Sequence, residues 1–558
     1  MVKISSRTLF LTTSPRTPGK MIPEIDLLIK HFAGKPWTPE TQRSFMEVLR
    51  NEQFFNGKGE KDPSFSARDR INRAPKSLGF VVLSPMIALT DAGYALIHSK
   101  RKEDVFLKQM LKFQIPSPYH RPTLRAAAFC IRPYLEMLRL VRVLGSLKFD
   151  ELQIFGMQLT DWHDFDDIVK KINLFRVAKA EYTGSYKKFK WDYLRRELER
   201  IYEMRIGSGE IRTRESPDIS LEKFFKTQSQ NMRDYADACF RYLQATGLVT
   251  VSYIGKSLSI VPERKEDVDY ILGTVSRDPV FIDDEKAYAE YLGSLDYPVL
   301  LTDNRDKLIH KIQTEYPEIR ISDLLTLSQL KELYQELSEK RKDLVIRAQV
   351  NDIKNCQMYD DIQGFYDRIS GGGLYDAPLM FEWNMWRAMT MLDGGNILAN
   401  LHFDDFGHPM SSASGNVPDI VCDYGDFIVC VEVTLSSGQR QFEMEGEPVM
   451  RHLGKMKKSS GKPCYCLFVA PNINTACIVF FYTLYRTSLS LYGGKLAIVP
   501  LPLSVFRKML EDSYRCDYVP NSDKVKKLFE ASVELADVSS SEEEWYEALK
   551  DRALHWLD

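Results

Sequence analysis

Residues 415–438 read GNVPDIVCDYGDFIVCVEVTLSSG, and this stretch restricts the fold more than any other part of the chain. DIVCDY and DFIVCVEVT are both rich in β-formers, with Gly425 and Asp426 between them. The pattern predicts two strands joined by a two-residue turn with glycine first. In that register Tyr424 opposes Phe427 and Asp419 falls directly across from Glu432, with Cβ atoms about 5 Å apart on one face. Val429, Val431 and Val433 on one side and Ile428 and Cys430 on the side of Glu432 make a strand buried on both faces. Two like charges facing each other there are unfavourable unless something relieves them. A divalent cation between the carboxylates would do so; so would a nearby arginine, or a swing of one side chain into solvent. For the first of these, oxygen donors at this separation suit Mg²⁺ or Mn²⁺, which keep several waters and also grip phosphate oxygens.

Further carboxylates flank this hairpin. Glu382 lies in PLMFEWNMWRAM, where Phe381, Met385, Ala388 and Met389 mark the apolar side of an expected helix. Glu445 and Glu447 lie in RQFEMEGEPVMRHLGKM, ahead of Arg451, His452 and Lys455, and a helix is expected to start near Pro448. Exposed helix surfaces account for these glutamates equally well.

At 558 residues the chain is too long for one hydrophobic core, so two to four domains are expected. Net charge is −2, yet residues 1–150 hold 25 Lys and Arg against 13 Asp and Glu. An N-terminal block this basic is either a phosphate-binding footprint or a solvated basic surface. Within 65–97 and again within 235–270 the sequence reads helix, strand, turn, strand, helix, the order of a winged helix-turn-helix. Arg68 and Arg70 on the first of these helices are candidate DNA contacts, as are Lys108 and Gln109 on the amphipathic helix 104–113. Ion pairs or packing are the alternative for each. Residues 303–350 are charged and helical, with Leu327, Leu330, Leu333 and Leu337 at helical spacing.

The expectation is a multidomain α+β chain. Winged-helix-type recognition subdomains span 1–125 and 126–285, a helical linker 286–350, and an α/β cleavage domain 351–558. No apolar run reaches the roughly 18 residues a membrane helix needs. The nine cysteines are scattered without a C-x₂-C pair, and the N-terminus carries no signal-peptide pattern. Reduced thiols in a cytoplasm, and no membrane association, are expected.

Pro418-Asp419, thirteen residues downstream Glu432-Val433, and then Thr434 resemble the PD-(D/E)XK nuclease motif, with threonine where that motif usually has lysine. The words SPRTPGK, FSARDR, DVFLKQ, GNVPD, EVTLSSG, QFEMEGEPVMRH and YCLFVAPNIN, in this order, resemble the AlwI-type (BstNBI/PleI/MlyI-like) restriction endonucleases, which include type IIS and strand-nicking enzymes. The resemblance implies an N-terminal recognition region and a C-terminal PD-(D/E)XK-like nuclease domain acting on double-stranded DNA at a fixed offset from a short asymmetric site. It implies catalytic roles for Glu382, Asp419, Glu432, Glu445 and His452. Mg²⁺ would be held by Asp419, Glu432, the Val433 carbonyl and Glu382, with Mn²⁺ as a substitute and Ca²⁺ supporting binding only. A prokaryotic cytoplasm is implied, as is pairing of cleavage domains, or a second nuclease subunit, for double-strand breaks. Trp545, Leu549 and Trp556 near the C-terminus form either a core stripe or one such pairing surface. A winged-helix regulator without enzymatic activity and a repair or transposition nuclease are the competing readings.

Overall fold

A computed structural model of the chain describes residues 8–558 apart from 53–54, 56–61, 121–128, 214, 356–357, 393–394, 413–416 and 516–521. The chain divides into two compact units, Met1–Glu336 and Leu337–Asp558.

In the first unit, Asp62 caps helix α1 (Pro63–Ile71) by accepting from the Phe65 N–H at 2.9 Å. Strands β1 (Val81–Val82) and β2 (Ala88–Leu89) follow as an antiparallel pair, then α2 (Asp91–His98), capped by Thr90. Gly93 sits where α2 meets the Phe80 backbone so closely that a Cβ would fall 2.0 Å from the Phe80 carbonyl oxygen. Helix α3 (Lys102–Lys112) comes next, and then α4 (Pro133–Leu144), β3 (Leu147–Lys148), the long α5 (Leu221–Gln244), β4 (Val249–Ser252), β5 (Ser257–Ile260) and α6 (Lys265–Thr274). Both segments thus carry the helix-strand-turn-strand-helix order. In the second, β3 joins the hairpin to make an antiparallel sheet ordered β3-β5-β4, a strand the sequence pattern did not include.

Two candidate DNA contacts are corrected here. Gln109 on α3 is 0% exposed, and its amide donates to the Leu78 and Leu292 carbonyls, both at 2.5 Å. Lys108 is buried and donates at 2.7 Å to the Leu295 carbonyl and to Asp303. The Lys108 ammonium and the Gln109 amide nitrogen are thus used in internal bonds. Arg70 is ion-paired with the buried Glu24, whereas Arg68 is exposed. The Asp303 contact also revises the linker: residues 286–336 belong to the first unit, since Asp303 binds Lys108 and Lys331. Helix α7 (Leu327–Lys354) runs across the boundary.

The second unit is built on a five-stranded mixed sheet in the order β12-β11-β10-β9-β6. Its strands are β6 (Asn396–Ala399), β9 (Ile420–Asp423), β10 (Ile428–Val433), β11 (Cys464–Ala470) and β12 (Ile498–Pro502). β10, β11 and β12 are parallel, while β9 is antiparallel to both β10 and β6. A separate ribbon pairs β7 (Leu401–Phe403) with β8 (Pro409–Ser412). Helix α8 (Ala377–Leu392) precedes β6; α9 (Gln439–Ser460) connects β10 to β11, as a parallel crossover must. α9 starts well ahead of Pro448, which lies inside it. The ring removes one backbone donor from the helix, and the flanking turns carry the helix past it. The terminal helix α10 (Glu542–Leu554) buries Trp545 and Leu549, and Trp556 is buried just beyond it. That stripe is therefore core rather than a pairing surface. Among the described residues, no helix is long and apolar enough to cross a membrane.

Gln441, fully buried in the first turn of α9, fixes this helix to the sheet. Its amide nitrogen donates to the Ser436 and Asn472 carbonyls at 3.0 and 2.9 Å, and its oxygen accepts from the Asn474 N–H at 2.7 Å. Gln441→Leu keeps the volume and strands three backbone groups, so it should destabilise the second unit by about 2–4 kcal/mol. Urea unfolding followed by circular dichroism reads this, and an unchanged midpoint would show that Gln441 is no lock.

Candidate active site at the end of strand β10

Gly425 adopts φ +92°, and Tyr424 N–H donates to the Phe427 carbonyl at 3.1 Å, closing the turn between β9 and β10. The ladder pairs Ile428 with Asp423, Val429 with Cys422, Cys430 with Val421 and Val431 with Ile420. One step beyond the last ladder pair lie Glu432 and Asp419, near enough that Glu432 raises the Asp419 carboxyl. Two hydrogen bonds fix Asp419 there. Its Oδ2 accepts from the Val433 N–H at 2.9 Å, and its carbonyl accepts from the Asn400 N–H at 2.8 Å. β10 is buried on both faces, and Glu432 itself is 6% exposed.

α9 brings the next two groups. Glu445 and His452 are seven residues apart, two helical turns, and so share a face. His452 Nδ1 lies 2.7 Å from Glu432 Oε1. The Thr434 hydroxyl oxygen accepts from Ser436 N–H at 3.0 Å, and the hydroxyl lowers the Glu445 carboxyl against the effect of burial. From α8, half-buried Glu382 accepts from the Ser412 hydroxyl at 2.9 Å. The five expected side chains thus come to one locality.

Their electrostatics is that of a site with too much negative charge. Burial pushes the Glu432 carboxyl well above the usual range, and Glu445 and Glu382 push it further. Asp419 is raised by burial and then by Glu432, against the opposing bond from the Val433 N–H. Glu445 is raised by burial, with the Thr434 hydroxyl and His452 pulling it back. Burial lowers His452 to about 4, with Arg451 and Lys455 adding to the effect, so its ring is neutral at pH 7. His452 Nε2 is buried with no hydrogen-bond partner among the described residues. Arg451 is turned to Glu447 at 2.9 Å, and Lys457 donates to the Lys495 carbonyl at 2.7 Å. Among the described residues no three His, Cys, Asp or Glu groups already converge closely enough to hold a metal ion. Ser412 and Gln441 were not singled out from the sequence. A serine 30 residues from its glutamate, and a glutamine bonded only to backbone, carry no local signal.

The profile of the family described as AlwI restriction endonuclease matches residues 76–509. Among solved structures, the chain is similar to the small subunit, R.BspD6I2, of the heterodimeric restriction endonuclease R.BspD6I. The identity is 27%, over 36% of this chain and 95% of that one, with a TM-score of 0.28. It is also similar to the BpuJ1 endonuclease binding domain, solved in complex with pyrene- and phenanthrene-modified DNA. There the identity is 14%, over 51% of this chain and 96% of that one, with a TM-score of 0.32. No curated protein matches the chain.

The raised carboxyls predict a stability profile for the metal-free protein. A carboxyl held above its ordinary value binds its proton more tightly folded than unfolded. Stability therefore falls as pH rises past the ordinary 3.8 of Asp419 and 4.5 of Glu432, and keeps falling up to their displaced values. Asp419→Asn should stabilise the metal-free protein at pH 8 by about 1–2 kcal/mol, with the gain shrinking towards pH 4. Thermal melts in chelator across that range measure it; a destabilised Asn variant at pH 8 would contradict the electrostatic account.

Proposed function

Since the chain belongs to the AlwI restriction endonuclease family and is thus a DNA endonuclease, we propose that it is a Mg²⁺-dependent enzyme of the type IIS or nicking kind. It would cut at a fixed offset from a short asymmetric site. The observation that carries this reading is the group of buried, mutually repelling carboxyls at the end of β10 beside a neutral histidine. The donor set fits a hard divalent cation: all its charged members are oxygen donors, and their repulsion is what a cation would reverse. Asp419, Glu432, the Val433 carbonyl and Glu382 would hold Mg²⁺, with side-chain adjustment to converge on it. When bound, the ion would acidify water and neutralise charge growing on the phosphate.

The chain's own groups account for positioning and proton transfer. The Val433 N–H fixes one oxygen of Asp419 and so sets the other. With Glu432 ionised, His452 donates from Nδ1 to Oε1, which leaves the lone pair on Nε2. Nε2 can then take a proton from the attacking water, the task that the missing lysine leaves open. Attack in line with the departing 3′ oxygen gives 5′-phosphate and 3′-hydroxyl ends. One such centre breaks one strand per encounter, so a double-strand break calls for a second cleavage domain, from another copy of the chain or a second nuclease subunit. In the first unit the two helix-hairpin segments serve as winged-helix-type recognition modules.

Two measurements test this. Glu432→Gln should bind site DNA in Ca²⁺ normally and cut it with Mg²⁺ at least about 10³-fold more slowly. Plasmid cleavage with sequencing of the ends reads both rate and offset. Normal cutting by this variant would remove the site from the chemistry, and ends scattered without a common sequence would favour a repair nuclease. Exposed Arg68 is a candidate phosphate or base contact. Arg68→Ala should weaken DNA binding and, for a phosphate contact, reduce the salt slope by about 1; an unchanged Kd would exclude it.

A further inference from the structure

The ribbon β7–β8 joins two acidic groups that arise far apart in the chain. Asn400, the residue before β7, donates its N–H to the Asp419 carbonyl at 2.8 Å. The next residue, Leu401, pairs directly with Ser412 at the end of β8. The Ser412 hydroxyl donates to Glu382 Oε2 at 2.9 Å. Backbone, ribbon pair and hydroxyl therefore form a continuous bridge from Asp419 to the Glu382 carboxylate. The ribbon's own geometry is fixed from both ends. At its turn Asp404 accepts from the Phe406 and His408 N–H groups, both at 2.9 Å. Beneath it, Trp386 on α8 donates to the Ile397 carbonyl of β6 at 3.2 Å, holding the helix that carries Glu382 against the same sheet.

We propose that Ser412 is a positioning residue for cleavage, which registers the Glu382 carboxylate against the Asp419–Glu432 hairpin through the β7–β8 ribbon. A glutamate side chain has three rotatable bonds, and its carboxylate reaches the scissile phosphate only in some of their combinations. A hydroxyl held by a paired strand removes part of that freedom by fixing one of the carboxylate oxygens. The inference rests on the nuclease reading of this site.

The test uses the full-length protein with Ser412→Ala and Ser412→Thr. Ser412→Ala should lower single-turnover cleavage by about 10-fold, as for loss of one hydrogen bond to a charged group. Its Kd for site DNA in Ca²⁺ and its melting temperature should stay at wild-type values. Ser412→Thr, which keeps the hydroxyl and suits a strand, should restore most of the rate. Wild-type cleavage by Ser412→Ala would overturn the proposal. So would a loss accompanied by weaker DNA binding or a lower melting temperature and not rescued by threonine, since that pattern marks plain structural damage. Glu432→Gln run alongside separates the two levels. If it still cuts, the site itself is misassigned; if it is inactive while Ser412→Ala is normal, only the positioning role fails.

Discussion

The second unit is organised around an unfavourable contact. Asp419 and Glu432 oppose each other at the end of a hairpin whose second strand is buried on both faces, and burial and mutual repulsion both raise their carboxyls. Such an arrangement lowers the stability of the folded chain, so the surrounding structure has to enforce it. The enforcement is visible bond by bond. The Val433 and Asn400 N–H groups hold Asp419, His452 holds Glu432, and the Gln441 amide fixes the helix that brings His452. The strain is local, and its ties are of two kinds: the Asn400 and Gln441 bonds, which involve no titratable group, and the Val433–Asp419 and His452–Glu432 bonds, which do.

The neutral state of His452 follows from the same crowding. Burial favours the uncharged ring with the Glu432 carboxyl 2.7 Å from it, and Arg451 and Lys455 add to the effect with positive potential from the same helix. With Glu432 ionised, Nδ1 is the donor and Nε2 the basic nitrogen; with Glu432 protonated the roles reverse. Thr434, in turn, is a neutral hydroxyl that only partly offsets the burial of Glu445.

In the first unit, charge counting overstates the surface available to phosphate. Lys112 is fully buried and donates to the Tyr291, Leu292 and Ser294 carbonyls, closing the C-terminal end of the helix Glu285–Gly293. Arg132 is buried against the Asp278 and Leu111 carbonyls and the Tyr291 hydroxyl. Arg277 and the buried Glu136 pair through two bonds, at 2.8 and 2.6 Å. Lys112 and Arg132, both within residues 1–150, are therefore internal cement rather than exposed charge. Exposed arginines such as Arg68 carry what remains of a nucleic-acid argument.

Short-range pattern determined the hairpin. Alternating β-formers around Gly425 set the strands, and a two-residue turn leaves one register, so the meeting of Asp419 with Glu432 was legible from residues 415–438 alone. The element order of the two helix-hairpin segments was legible for the same reason; the shared helical face of Glu445 and His452 was not, because Pro448 pointed to a helix beginning after Glu445, whereas it begins at Gln439. The buried roles of Lys108 and Gln109 were not. An amphipathic pattern shows which face is apolar but not that a polar face will meet the carbonyls of Leu292 and Leu295, nearly two hundred residues away. Nor could sequence reveal that the Ser412 hydroxyl meets Glu382, or that Nδ1 of His452 meets Glu432. A hydrogen bond requires two groups within about 3 Å, and where those groups come from distant segments, only the packed chain brings them that close.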